Sequence, residues 1–321
     1  MLTRKLGRSG IEVSGMGVGC WAIGGPFWRG SRPVGWGDVD DNQSIRAIQR
    51  ALDLGVNFFD TADVYGAGHS ERILGKTLVG HRTEVIVATK FGNLFDEKTR
   101  QAEGHKYSRQ YIYEACEASL RRLSTDYIDL YQFHLADVPS EEGAVVRDIL
   151  EELVREGKIR FYGWSTDDPE RAAVFSRGEH CVAVQHHMNL FDDNESMIAL
   201  CEEQNLASVN RGPLAMGLLT GKFTPNTKFP KNDVRRDWDL ESGRLADRLK
   251  HLDALREVLT QDGRTSPQAA LGWLWARSER TIPIPGIKTV AQIEENATAM
   301  DFGPLSSDQM DEIRQLLSRN G

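Results

Sequence analysis

Short runs rich in β-branched and aromatic residues alternate with helix-like stretches along almost the whole chain, and no other feature narrows the fold as much. VSGMGVG, residues 57–62, 85–90 and 127–133, the end of REGKIRFYGWS after its turn at Gly157, CVAVQHHM, LASVNRG and TIPIPG read as eight strands. Between and after them, helices are expected in DDNQSIRAIQRALDLG, over 70–79, 108–124 and 145–156, and in DPERAAVFSRG, SMIALCEEQN and VAQIEENATA. In the first of these, Ile45, Ile48 and Leu52 recur at helical spacing, with Asp/Asn at the start and Gly55 at the end. In the fifth, Asp168 stands as N-cap and Pro169 at the first helical position. Parallel strands need such crossovers, and eight repeats fit a (β/α)8 TIM barrel of the α/β class better than an open sheet. TRKLGRSGIEVSG adds an N-terminal β-hairpin turning at Arg8-Ser9-Gly10, and the segments 247–261, 266–278 and SSDQMDEIRQLLS add helices towards the C-terminus. Two long loops stand out, 21–39 with its Gly, Trp and Pro, and 214–245, which reads as a functional loop. No linker divides the chain, so residues 1–321 are expected to form one domain.

Composition excludes several classes. Hydrophobic content of 40% and charged content of 27% suit a soluble globular chain with ample core material. A balance of 39 basic against 47 acidic residues, net −8, argues against a nucleic-acid surface, although a few local cations suffice for a small anion. No run approaches membrane-spanning length, and MLTRKLGRSG has no apolar leader core. Cys20, Cys116, Cys181 and Cys201 are widely spaced without a ligand pattern, so reduced thiols in a cytoplasmic protein are expected, with neither disulfides nor zinc. His69, His105, His186 and His187 lack convergent carboxylates, and no metal is expected. Nothing in the sequence speaks to oligomeric state.

Four polar residues sit at or just past the C-terminal ends of successive strands: Asp60 and Tyr65, then Lys90, then His134. Singly, each has an ordinary reading as a turn cap, a loop aromatic, a surface charge or a structural histidine. A barrel gathers them on one rim, where their chemistry interlocks. An adjacent ammonium favours the phenolate of Tyr65 and makes it a better proton donor. Asp60 would hold Lys90 charged, and a neutral His134 would donate to a carbonyl oxygen, so the group stabilises charge developing on oxygen.

In order and context these four residues resemble the catalytic tetrad of the aldo-keto reductases. GVNFFDTADVYGAGHSE is close to the family signature, and GxGCW near the start, QxxxN in strand six, PLAMGLLTGKF and IPGIKTVAQIEENA extend the likeness from about Thr3 to Ile313. The resemblance implies a (β/α)8 barrel and reversible, metal-free hydride transfer between a nicotinamide cofactor and an aldehyde, ketone or sugar, with Tyr65 as general acid/base.

No GxGxxG unit opens a βαβ, so a Rossmann site is disfavoured. The turn into the last repeat's helix offers a helix N-terminus with Lys288 and Thr289, and Gln292 and Asn296 on one face. Through the resemblance this segment, with Gly286 and Glu295, looks like the adenosine 2′-phosphate and adenine site. Lys288 leans the choice towards NADP(H), while Glu294 and Glu295 leave NAD(H) open. The same likeness places Gly19, Cys20, Trp21 and Asp60 beside the cofactor, and Ser165, Thr166 and Gln185 at the nicotinamide carboxamide. It also places Gly212, Pro213, Leu214, Gly217, Leu219 and Lys222 along the pyrophosphate. Thr166 departs from the family's usual Asn, and Arg211 from the Tyr or Trp that lies against the ring; a guanidinium plane stacks on rings too. Trp21, Trp28 and Phe91, with Trp36 beside them, are expected to line an aromatic substrate mouth. Arg235 and Arg236 read as charges of a solvated loop. Three other functions share the scaffold: an alcohol or sugar dehydrogenase, a cofactor-sensing regulatory subunit, and an aldolase with Lys90 as Schiff-base nucleophile, which Asp60 disfavours.

Overall fold

The computed structural model describes residues 1–319 and contains eight parallel strands in one sheet: Val18–Gly19, Phe58–Asp60, Ile86–Phe91, Ile128–Phe133, Ile159–Ser165, Cys181–His187, Ala207–Arg211 and Thr281–Pro283. We number them one to eight. The sheet curls until its edges meet. Gly17 N–H donates to Pro283 O and Gly19 N–H to Pro285 O, both at 2.9 Å, and Gly19 bridges Gly286 in parallel. Proline carbonyls serve here because the seam needs only acceptors from that side. Strand one needs glycine, since a Cβ at Gly19 would stand 2.6 Å from Ile284 O and one at Gly17 2.4 Å from the Phe58 ring. The eight strands are thus those of a (β/α)8 barrel.

The N-terminal hairpin, Thr3–Lys5 against Glu12–Ser14, covers the end of the barrel where the strands begin. Its Leu6 and Val13 join Phe58, Ile86, Ala88, Leu130, Val209 and Ile282 in a closed apolar floor. Gly7 at φ 50° makes this possible, because a Cβ there would lie 2.1 Å from Val182 O. That floor also fixes the parity of the strands. Side chains two residues further along point into the same lumen, so Phe58, Ala88, Leu130 and Ala183 specify inward positions for Asp60, Lys90, Gln132 and Gln185.

Helices wrap the sheet and bury its outer face, as a parallel sheet requires. Asp40 caps the first, Asp41–Asp53, by accepting from Asn42 N and Gln43 N, and Asp168 caps Pro169–Ser176 in the same way. Ser44, Ala47, Ile48 and Ala51 form the buried stripe of the first helix, with Ile45 and Leu52 flanking it, so the helix approaches through its smaller residues. The fourth starts earlier than its apolar pattern, at Ser140, because Pro139 and two first-turn glutamates suit a helix N-terminus. Helices Gly243–Leu259 and Ser307–Arg319 are additions that share a separate apolar cluster.

The main structural surprise is at the mouth. Asn93–Asp96 and Gln101–His105, a segment with no strand expected, form a hairpin that joins Trp28–Arg29 and Arg32–Pro33 in a four-stranded rim sheet. Among the described residues no helix is long and apolar enough to cross a membrane.

Candidate active site

Lys90 is fully buried, and its ammonium has three acceptors: Asp60 Oδ1 at 2.6 Å, Thr61 O at 2.7 Å and Tyr65 OH at 3.2 Å. The second carboxylate oxygen of Asp60 accepts from Gln132 Nε2 at 2.9 Å and Gln185 Nε2 at 2.7 Å. Because a carboxylate only accepts, both amides must turn nitrogen towards it. Gln185 therefore aims its Oε1 elsewhere, with no protein partner among the described residues. Register explains the layer: Gln132 pairs with Lys90 and Ser165 with Gln185 on neighbouring strands.

Tyr65 stands on the loop after strand two. Gly66, Ala67 and Gly68 all have positive φ, which turns the chain sharply. A Cβ on Gly66 would be 1.9 Å from Gly24 O, so glycine lets this loop dock against the loop after strand one. Ser70 Oγ fastens it, donating to Cys20 O and lying 2.8 Å from Thr61 Oγ1. The Tyr65 oxygen accepts from Lys90, which leaves its own proton free to be given away. His134 faces it edge-on with ring centroids 5.9 Å apart, and Trp21 stacks on its other side at 6.0 Å.

Electrostatics sharpen the roles. Burial opposes the charge on Lys90, but Asp60 and Tyr65 outweigh it and hold the ammonium above its ordinary pKa. Burial is also the largest influence on Tyr65 and pushes its phenol above the usual value. Lys90 pulls it down, as its neighbourhood led us to expect, but does not win. Tyr65 thus stays protonated throughout the neutral range. Burial, aided by Lys90 and Arg211, keeps His134 well below the usual histidine range, so it is neutral. Its Nδ1 is buried without a partner among the described residues.

The other expected residues divide. Ser165 is nearly buried, and its hydroxyl has no protein partner among the described residues. With Gln185 Oε1 it offers one donor and one free acceptor at adjacent strand ends. Thr166 does not join them: its hydroxyl donates to Ala136 O and accepts from Asp168 N. Cys20 is also turned away, its thiol on Val18 O and its N–H on Asp60 O. Leu219 is fully buried in the cluster beneath helix Gly243–Leu259, with its N–H on Leu214 O. Phe91 is not part of the mouth either. It packs outside the barrel between Tyr131 and Phe133, at 4.5 and 5.5 Å, because Lys90 beside it points inward. Trp28 is half-buried in the rim sheet. Arg211 is half-buried and ion-paired with Asp167.

Around strand eight the cations converge. Thr289 and Gln292 form a capping box at the start of helix Val290–Ala297. Lys288 Nζ donates to Trp36 O at 2.5 Å and Asp38 O at 3.3 Å, and burial lowers its pKa. Lys222 lies 3.4 Å from Glu295, and Arg50 takes Glu294 at 2.8 Å. Asn296 is nearly buried, and its amide has no partner among the described residues. The loop after strand seven enters through Ala215, Met216 and Gly217, all at positive φ, and then crosses to the loop after strand one. Trp36 bridges Asp233, and Val234 N donates to Gly35 O at 2.8 Å. Arg235 is no solvated charge. It clasps Asp233 through two 2.9 Å bonds, donates to Met216 O, and lies 4.5 Å from the Trp36 and Phe229 rings. Arg236 donates to Ser31 O, so both arginines serve this strap.

Sequence reasoning missed Gln132, Asp167 and the fully buried Glu71, which accepts from Thr89 Oγ1 and Arg122 Nε at 2.6 Å behind strand three. Only Gln132 had a local signal, a polar residue two positions beyond an inward leucine. Among the described residues no group of three metal ligands converges.

Residues 16–318 match the model of the aldo/keto reductase family. The chain belongs to the aldo/keto reductase family. It is 35% identical over 315 residues to the aldo-keto reductase YhdN of Bacillus subtilis, spanning 96% of this chain and 91% of that protein. In structure it is similar to the glycerol dehydrogenase AKR11B4 from Gluconobacter oxydans, with TM-score 0.84, 30% identity and coverage of 99% and 95%. It is also similar to an aldo/keto reductase from Klebsiella pneumoniae in complex with NADP and acetate, with TM-score 0.72, 26% identity and coverage of 98% and 94%. The chain is therefore an oxidoreductase of this family, and the Klebsiella pneumoniae neighbour holds NADP.

Proposed function

We propose that this aldo-keto reductase is an NADP(H)-preferring carbonyl reductase in which Tyr65 is the proton donor. One observation carries the reading: Lys90 donates to the Tyr65 oxygen, so the phenol's own proton faces the mouth beside a neutral His134. A nicotinamide cofactor, when bound, would supply or accept the hydride. His134 donates to the carbonyl oxygen and places it, and Tyr65 passes its proton there as charge builds on that oxygen. Lys90 stabilises the phenolate left behind, and Asp60, gripped by Gln132 and Gln185, keeps Lys90 in place.

The protein's own groups fit such a cofactor. Ser165 Oγ and Gln185 Oε1 have the donor and acceptor that a carboxamide needs, and Arg211 would lie against the ring. Lys222 and Lys288 would meet phosphates and Asn296 the adenine, with Gly286 leaving room at the rim. Both glutamates that weighed against a 2′-phosphate are neutralised, Glu294 by Arg50 and Glu295 by Lys222. This favours NADP(H) over NAD(H). The substrate is a small aldehyde, ketone or sugar entering past Trp21. Four buried free thiols fit a cytoplasmic protein.

Tyr65→Phe tests the assignment. Carbonyl reduction should fall by roughly 10²–10⁴ in kcat, with NADPH affinity by fluorescence titration unchanged. A folded variant that keeps most of its turnover sinks it. Alcohol oxidation is the second reading, but it needs the phenolate, so the raised phenol disfavours it at neutral pH and makes the reverse reaction an alkaline one. The aldolase reading finds no support, because all three Lys90 protons are engaged and its amine stays charged.

A further inference from the structure

We propose that Asp167 balances the charge of Arg211 and thereby sets how the site divides its affinity between oxidised and reduced dinucleotide. The inference rests on the cofactor reading above. Arg211 ends strand seven two positions beyond Val209, which faces the lumen and pairs with Gln185, so it rises on the inward side of the catalytic rim. Its one acidic partner among the described residues is Asp167, which also accepts from His187 N at 2.6 Å. Asp167 is held on both sides, since Thr166 is anchored to Ala136 O and Asp168 caps the fifth helix. It is thus a fixed counter-charge in a loop whose neighbours are committed elsewhere. The nearby Asp192 is already taken by His187, Arg244 and Arg248, so it supplies Arg211 with no counter-charge.

The two forms of the cofactor differ by one charge where it matters. The oxidised nicotinamide ring is a cation and the reduced ring is neutral, so an unbalanced guanidinium beside it penalises only the oxidised form. Asp167 cancels that penalty. It acts through Arg211 and is a positioning residue, not a catalytic one. Because both partners are partly exposed, with 38% and 49% of their side-chain surfaces accessible, the effect is screened and of moderate size.

Asp167→Asn keeps an acceptor for His187 N and removes the charge. Dissociation constants for NADP⁺ and NADPH should be measured by fluorescence or calorimetry for the wild type, Asp167→Asn, Arg211→Gln and the double variant. In Asp167→Asn the ratio Kd(NADP⁺)/Kd(NADPH) should rise roughly fivefold to tenfold. Tenfold corresponds to about 30 mV in the two-electron potential of the bound couple. Arg211→Gln, which leaves the carboxylate alone, should move the ratio the opposite way, and the double variant should return it towards the wild type. A merely structural Asp167 would weaken both forms equally. An unchanged ratio in folded Asp167→Asn, or a shift of the same sign in Arg211→Gln, overturns the inference and leaves the cofactor reading standing. Failure of the wild type to bind either form overturns that reading, and this inference with it.

Discussion

Arg235→Leu should open the strap without unfolding the barrel. Leucine keeps apolar bulk against Trp36 and Phe229 but removes both bonds to Asp233 and the one to Met216 O. The Asp233 side chain is only 4% exposed and, among the described residues, would keep just the backbone N–H of residue 235 as donor. Removing one partner from a buried pair costs about 3–5 kcal/mol. Water reaches a rim loop more easily than a core, so the lower end applies, about 3 kcal/mol. The lost cation–π stacking is of order 0.5–1 kcal/mol per ring, partly offset by leucine's contacts. The strap still has Val234 N on Gly35 O, Asn232 on Asp38, Arg236 on Ser31 and Lys288 on Trp36. The loss therefore falls on local opening, whose population rises about a hundredfold. Native-state hydrogen exchange reads this directly. The Val234 amide should exchange about a hundredfold faster, while amides of strands three and four keep wild-type protection. Stopped-flow release of NADPH should quicken in parallel. Unchanged Val234 protection would refute the reasoning, and so would an equal loss of protection across the barrel strands.

Three further outcomes are expected. His186 is fully buried, accepts or donates at Ser208 Oγ over 2.7 Å, and burial lowers its pKa to about 4. The unfolded chain takes up a proton near pH 6.5 and the folded one only near 4, so stability is lost as pH falls across that window, by about 3 kcal/mol; a His186→Asn variant should flatten this part of a Tm-against-pH curve, and an unchanged slope would assign the loss elsewhere. Phe91→Ala should cost about 3–5 kcal/mol as a core cavity and leave KM for carbonyls within about twofold, whereas a raised KM at intact stability would return Phe91 to the substrate mouth. With Tyr65 above its ordinary pKa, reduction should stay level from neutral into mildly alkaline pH, and alcohol oxidation, which needs the phenolate, should climb over the same range; oxidation that peaks near neutrality would show the phenol to be depressed instead.

The barrel was legible in the sequence because its signal is local and repeated: each strand's apolar run and each helix's cap lie within one short window. Asp60, Tyr65, Lys90 and His134 were legible for the same reason, since the barrel's topology carries strand ends to one rim. Parity decided where reading by position failed. Phe91 sits at a strand end, as Lys90 does, but neighbouring strand residues face opposite sides, and an inward lysine forces an outward phenylalanine. The same rule, applied from Leu130, would have found Gln132. What local reading cannot reach is pairing between distant loops. Arg235 lies far along the chain from Trp36, and Asp167 from Arg211, and nothing in either window names its partner. Their charges read as solvated until the fold removes the solvent. The rim hairpin escaped for a related reason, because QAEGH carries almost no apolar pattern and is a strand only through its partners. The candidate tetrad is therefore written in strand-end residues that any barrel of this topology would gather, whereas the Trp36–Arg235 and Asp167–Arg211 pairs come into contact only in the folded chain.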